Sequence, residues 1–366
     1  MKKIIFYYPH ELSNSPTKGS ELRPVLMKKA FKSIGYKVET VVGNSVERKK
    51  SIKKIKAMIN EGEKFEFLYA ESSNMPVPIS DSHHLPLRIF QDYNFFRFLN
   101  KNSVPIGLFY RDLYWRFKEF KYNTSIKLII KNIFHWIEWK GICKTVDHLF
   151  LPTNSIASYL PKKLPAKNVS ALYPGCNVEK SINVNKKSSK KFNLFYVGGV
   201  KPPYYDLRPI LEVVNLVNNI NLILCTRKKE WEQNKLYYKD YNFENISIVH
   251  ANSNEISQYY QSSDLVLDIR KPIGYFKTAL PIKIIEALGY EVPLLLIDGT
   301  ESAEFVKREN VGWVVSNSTE AIILLEKINK NRKLLDEKVK KIKEVKKNHT
   351  WKSRANEAAR TLVQYN

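Results

Sequence analysis

Cysteine is scarce in this chain, with three in 366 residues. Cys143, Cys176 and Cys225 lie far apart and in no metal-ligand spacing, which excludes a zinc module and a disulfide framework and suits a reducing compartment. Long apolar runs are also missing. None reaches the roughly 18 residues of a spanning helix, and Met1-Lys2-Lys3 leads straight into a short strand rather than a signal-peptide core, so the expected location is cytoplasmic, at most peripheral on the inner face of the plasma membrane. Zinc-finger, ribonucleoprotein and basic-zipper patterns are absent, and no nucleic-acid partner is expected. Acidic residues run short: 36 Asp and Glu face 60 Lys and Arg, for a net charge of +24. That imbalance calls for a polyanionic neighbour, either nucleic acid, anionic lipid or a phosphorylated substrate. Lysine and asparagine richness is also what an AT-rich genome writes, so part of the charge carries no functional meaning.

What is present is enough apolar residue, 43% of the chain, to fill two cores of ordinary size. The richest stretch runs from Ala279 to Leu296. Leu280-Pro281 opens a helix, Gly289 ends it, and Val292 to Ile297 is too apolar for a half-exposed strand. Lys283 and Glu286, three residues apart, share one helix face near its N-terminus, where backbone amides and the helix dipole favour an anion such as a diphosphate. An ordinary surface Lys/Glu pair has the same spacing, so context decides between the two.

Pro281, Lys283, Glu286, Ala287 and Pro293 with the strand after it resemble the nucleotide-sugar half of GT-B glycosyltransferases, family 4 above all, whose pattern is Pro-x-Lys-x-x-Glu-Ala. Glu301 to Val306 and Gly312-Trp313-Val314-Val315 are similar to that family's next helix and strand. Asn193 to Val200, with Gly198-Gly199, resembles its first strand and glycine loop, and Asp264 to Asp268 its strand before the sugar. The resemblance implies a two-domain α/β enzyme of GT-B fold with a cleft between Rossmann-like domains, in which Glu286 accepts hydrogen bonds from ribose and Lys283 neutralises diphosphate. It also departs from the family twice. The first of the family's two glutamates is replaced by Thr278, which bears on the sugar and the stereochemistry. Asp206 stands roughly where relatives carry a lysine, leaving Lys201, Arg208, Arg227 and Arg270 as candidate diphosphate cations, with Arg227 and Arg270 favoured because strand ends are where open α/β sheets bind ligands.

The first half reads as the same kind of domain. Lys3 to Pro9 is a buried strand, Leu22 to Ile34 a helix and Tyr36 to Val42 a strand, a βαβ unit whose Gly19-Ser20 loop and Arg23 could meet a phosphate or an acceptor. Val104 to Phe109 is a strand ending on Arg111-Asp112. Asp112 is the candidate general base if the enzyme inverts, with His10 the second candidate, while a structural Arg111–Asp112 ion pair is the alternative. From Ile126 to Lys140 a helix mixes lysines and tryptophans into an apolar stripe, which suits either packing on its own domain or a membrane interface. Ala171 to Asn177 resembles the exit from the first domain.

The expected organisation is an acceptor domain over 1–178, a polar linker over 179–191, a nucleotide-sugar domain over 192–348, and a helix over 349–366, beginning near Trp351, that returns to the first domain. The expected activity is transfer of a sugar from a nucleotide-diphosphate donor, a UDP-sugar by preference, to a saccharide or lipid-linked saccharide destined for a bacterial surface polysaccharide, beside an anionic inner membrane. No metal or other cofactor is expected, since cations take the metal's place and no Asp-x-Asp motif is present. A GT-B nucleotide-sugar epimerase and a non-catalytic nucleotide- or polyanion-binding protein are the rival readings.

Overall fold

The computed structural model describes residues 1–13, 19–111, 113–117, 126–161, 168–178, 191–252 and 255–365. The chain divides into two compact units, 1–174 with 351–366, and 175–350. The expected linker over 179–191 falls almost wholly outside the described residues. Gly175 to Val178 belong with the second unit, because the Cys176 amide donates to the His349 carbonyl at 2.7 Å.

In the first unit the order is β1 (Lys3–Tyr8), α1 (Gly19–Ser33), β2 (Lys37–Val42), α2 (Ser45–Asn60), β3 (Leu68–Glu71), α3 (Gln91–Lys101), β4 (Ile106–Phe109), α4 (Ile126–Thr145), β5 (His148–Leu151) and β6 (Val169–Ala171). The six strands are parallel in the order β2-β1-β3-β4-β5-β6. Ile4, Ile5 and Phe6 are fully buried, as strands covered on both faces require. Right-handed crossovers place α1 on one face of the sheet and α2, α3 and α4 on the other. Arg48 of α2 pairs with Asp92 of α3 at 2.9 Å, and Gly141 of α4 lies against the Tyr93 ring of α3.

The second unit continues with β7 (Phe192–Val197), α5 (Arg208–Leu216), β8 (Ile220–Cys225), α6 (Lys228–Asn234), β9 (Ile246–Val249), α7 (Ser257–Gln261), β10 (Leu265–Asp268), α8 (Ile282–Gly289), β11 (Leu294–Ile297), α9 (Glu301–Glu309), β12 (Gly312–Val315), α10 (Ser318–Lys330) and α11 (Lys333–Val345). Its six parallel strands run β12-β11-β10-β7-β8-β9. The order reverses between β7 and β10, so the loops after these two strands diverge and open a crevice at their carboxyl ends, where such sheets bind ligands. Finally α12 (Trp351–Val363) rejoins the first unit and packs on α1. Gly107 of β4 leaves room for it, since a β carbon there would meet Leu362 at 2.6 Å.

Two element boundaries differ from expectation. Gly19 is the first residue of α1 rather than part of a loop. Leu324 to Val345 reads in the sequence as one lysine-rich helical run, but it is split between α10, which ends at Lys330 with Asn331 as its cap, and α11.

Candidate functional site

At the switch point of the second unit, β10 ends on Asp268, and Arg270 turns back to grip its carboxylate with two hydrogen bonds, Nε to Oδ1 and Nη2 to Oδ2, both 2.6 Å. The second residue of α8, Lys283, reaches Asp268 Oδ2 at 3.1 Å and donates to the Val197 carbonyl at 2.6 Å. Both cations also lie over the Tyr196 ring, Arg270 at 5.4 Å and Lys283 at 4.8 Å from its centroid. Burial opposes ionisation of Asp268, yet the two cations hold it well below the usual carboxylate range. Burial lowers Lys283 to about 8, with Asp268 working the other way. The cluster therefore carries two cations on one anion, leaving one net positive charge for a phosphate.

Pro281 precedes α8 with extended backbone, and no side chain caps the helix. Among the described residues the Ile282 and Lys283 amides make no hydrogen bond and can meet an anion, as at many phosphate sites, while the Ile284 amide donates to the Pro281 carbonyl at 3.0 Å. One turn along, Glu286 is half-buried and takes no hydrogen bond or ion pair among the described residues. Burial alone lifts it to about 7. A half-buried carboxylate without a partner is an acceptor waiting for a donor, and hydroxyls would supply one. A small cavity at the start of α8 is lined by Tyr204, Asp268, Arg270, Pro281, Thr300 and Ser302.

The glycine loop supports this cluster by close approach. A β carbon on Gly198 would lie 2.8 Å from Lys283 Nζ, and one on Gly199 would lie 2.8 Å from both Glu230 Oε1 and the Tyr205 ring. Tyr204 and Tyr205 pack on Phe276, and Arg270 stacks over Tyr205 at 4.9 Å.

Of the two arginines favoured from the sequence, Arg270 is in the cluster and Arg227 is not. Arg227 pairs with Glu230 on the surface, its side chain 68% exposed. Arg208 is tied to Asp206 by several hydrogen bonds, so Asp206, standing where a lysine was expected, also occupies the nearest alternative cation. Thr278 is buried, its hydroxyl donating to the Tyr275 carbonyl at 2.8 Å, and so offers no carboxylate at the position where the family has its first glutamate.

In the first unit the strand order reverses between β1 and β3, and His10 follows β1 there. Burial lowers its pKa, assisted by Arg48 and Arg111 against Asp81, which favours the neutral imidazole. The Arg111 amide donates to Ser72 Oγ at 3.0 Å, and its guanidinium acts on His10, Tyr8 and Glu71. Asp112 lies outside the described residues, and of Gly19 only its place at the start of α1 is described. Arg23 is a correction. Its guanidinium is buried, held by Glu71 at 3.2 Å and by the Leu172 and Tyr173 carbonyls, and it lies 3.5 Å from the Phe109 ring centroid. It braces the domain, because a cation taken out of water must spend its donors locally.

Sequence reading missed the partners rather than the cations. Asp268 was seen as a strand end, not as the counter-ion of Arg270 and Lys283. The signal was there in Asp268-Ile269-Arg270, two charges two residues apart on one side of an extended segment. Glu71 gave no such signal, since its partner Arg23 lies 48 residues away in sequence.

The profile of the family "Glycosyl transferases group 1" matches residues 177–351. Among curated proteins no sequence matches the chain. Solved structures match over its whole length. HepE from Anabaena, in a complex with UDP and glucose, is 12% identical with TM-score 0.63 over 100% of both chains. Sucrose-phosphate synthase from Thermosynechococcus elongatus is 11% identical with TM-score 0.66, covering 100% of this chain and 99% of its own. WaaG, a glycosyltransferase involved in lipopolysaccharide biosynthesis, is 13% identical with TM-score 0.60 over 98% and 99%. These likenesses show the fold, and the chain has the GT-B fold.

Proposed function

We propose that the enzyme transfers a sugar from a nucleotide-diphosphate donor, a UDP-sugar by preference, to a hydroxyl of a saccharide or lipid-linked saccharide in bacterial surface polysaccharide synthesis, working beside the anionic inner membrane without a metal or other cofactor. The observation that carries this is the Lys283–Asp268–Arg270 cluster with its surplus positive charge, set beside an uncapped helix N-terminus and the unpartnered Glu286. Lys283 and the α8 amides meet the diphosphate, and Glu286 accepts from the ribose hydroxyls. As the glycosidic bond breaks, negative charge grows on the leaving diphosphate, and cations fixed in place stabilise it without reorganisation. The complex of HepE with UDP and glucose and the involvement of WaaG in lipopolysaccharide biosynthesis support the donor and the setting. With Thr278 in place of a glutamate, Asp112 serves as general base if the configuration inverts, and His10 is the other candidate.

The test is release of nucleoside diphosphate from UDP-sugars with and without saccharide acceptors. Release that needs an acceptor and falls at least tenfold in Glu286→Gln supports the reading. Turnover of the donor alone points instead to an epimerase.

A further inference from the structure

We propose that the first unit docks on an anionic lipid bilayer through the N-terminal half of α4. The sequence allows this stripe either to pack on its own domain or to meet a membrane, and exposure separates the two. None of residues 126–134 is buried, and the buried positions of α4 begin only at His135. Ile126, Ile129, Ile130 and Ile133, at i, i+3, i+4 and i+7, are 75%, 55%, 46% and 53% exposed, and Trp136 continues the stripe at 44%. A soluble helix turns such a stripe inward; here the rear half anchors the helix and the front half projects it outward. Contiguous exposed apolar surface of this kind marks an interaction site.

Charge selects the occupant. The exposed front half of α4 carries Lys127 and Lys131, and Lys140 and Lys144 stay unburied further along, while its one acid, Glu138, is buried and accepts from the Val77 amide at 3.1 Å. Trp136 packs edge-on against Trp115 at 5.2 Å, with Arg116 5.8 Å from its ring centroid, which places an amphipathic ring and a cation where the stripe meets the domain. This is the composition of a helix lying in a membrane interface, with apolar residues in the acyl boundary and lysines on anionic headgroups.

A second feature of the same helical layer fits the same partner. A groove of about 820 Å³ between α2 and residues 87–91 is lined by Lys49, Lys53, Lys56 and Arg88, with Leu87 and Phe90 66% and 63% exposed and no acidic residue in its wall. Phosphate between four cations, with an acyl chain on the two apolar side chains, suits a phospholipid. No helix among the described residues is long and apolar enough to cross a membrane, so this is docking, not insertion across it.

The proposal shares only its setting with the donor reading and stands or falls separately. Full-length protein would be floated with vesicles of phosphatidylcholine alone and of equal parts phosphatidylcholine and phosphatidylglycerol. Expected is flotation with the anionic vesicles only, abolished in the double variant Ile129→Glu with Ile133→Glu, and weakened about fivefold for each lysine changed to glutamine among Lys127, Lys131, Lys49 and Lys53. An unaltered melting temperature and circular dichroism spectrum show that each variant is folded. The proposal is overturned if the wild type floats with neither vesicle, if it floats equally with both, if the double variant floats as the wild type does, or if the double variant instead dissolves a dimer.

Discussion

Lys283 and Glu286 titrate toward each other within one helical turn. Burial lowers the lysine to about 8 and raises the glutamate to about 7. The sign for donor binding follows. Below about 7 Glu286 gains a proton and can no longer accept from both ribose hydroxyls; above about 8 Lys283 loses its charge and the diphosphate loses a cation. UDP affinity measured by calorimetry should therefore be bell-shaped in pH with its maximum between about 7 and about 8, and Glu286→Gln should remove the acid limb while leaving the alkaline one. A flat profile between pH 6 and 9 would show that neither group meets the ligand. Arg23 belongs to a different account: paired with fully buried Glu71, it leaves an uncompensated charge behind when removed. Arg23→Ala should cost about 3–5 kcal/mol in denaturant unfolding of the first unit without changing UDP affinity, and loss of UDP binding would return Arg23 to the ligand site. From the sequence both residues looked alike, cations one turn into a helix after a glycine or proline. Burial separated them, and burial of a single charged side chain is set by tertiary partners that local spacing does not carry.

The elements that shape the site are α8 and the loop after β7, and they were the most legible in the sequence. Pro281 and Gly289 punctuate the helix, and a run of Leu and Ile can only be a buried strand. What the sequence did not reveal is why the loop needs glycine. At Gly198 the reason is contact, not backbone conformation: a β carbon would sit 2.8 Å from Lys283 Nζ and from the Tyr196 hydroxyl. Gly198→Ala should push the lysine off Asp268 and weaken UDP binding about tenfold, about 1.4 kcal/mol, with little change in melting temperature. Unchanged affinity would mean the lysine's present position is not the binding one. The break between α10 and α11 was less legible, because a lysine-rich run keeps helical character through Asn331 and only the hydrogen bonds of the Asn331 amide to Lys327 and Ile328 mark the end.

On the scale of the whole molecule, each unit is a parallel sheet whose strand order reverses once, and each reversal gathers chemistry-bearing residues at the carboxyl ends: His10, Glu71 and Arg111 in the first, Gly198, Asp268 and Arg270 in the second. The βαβ unit of the first half was readable from periodicity, whereas the two-domain architecture and the closing helix α12 were what the family resemblance implied. The net charge of +24 remained ambiguous, since a sum says nothing of placement; exposure of α4 and the α2 groove gives part of it a location.

The central claim is a nucleotide-diphosphate site built on Lys283, Asp268, Arg270 and Glu286. It is tested most directly by thermal-shift measurements of the full chain with UDP, GDP, TDP and CMP, for the wild type and for Glu286→Ala. A ligand at one hundred times its dissociation constant adds about 2.7 kcal/mol of stability. The account predicts a clear shift with one diphosphate, UDP foremost, that disappears in Glu286→Ala; no shift with any of the four, or a shift that persists unchanged in the variant, would contradict it.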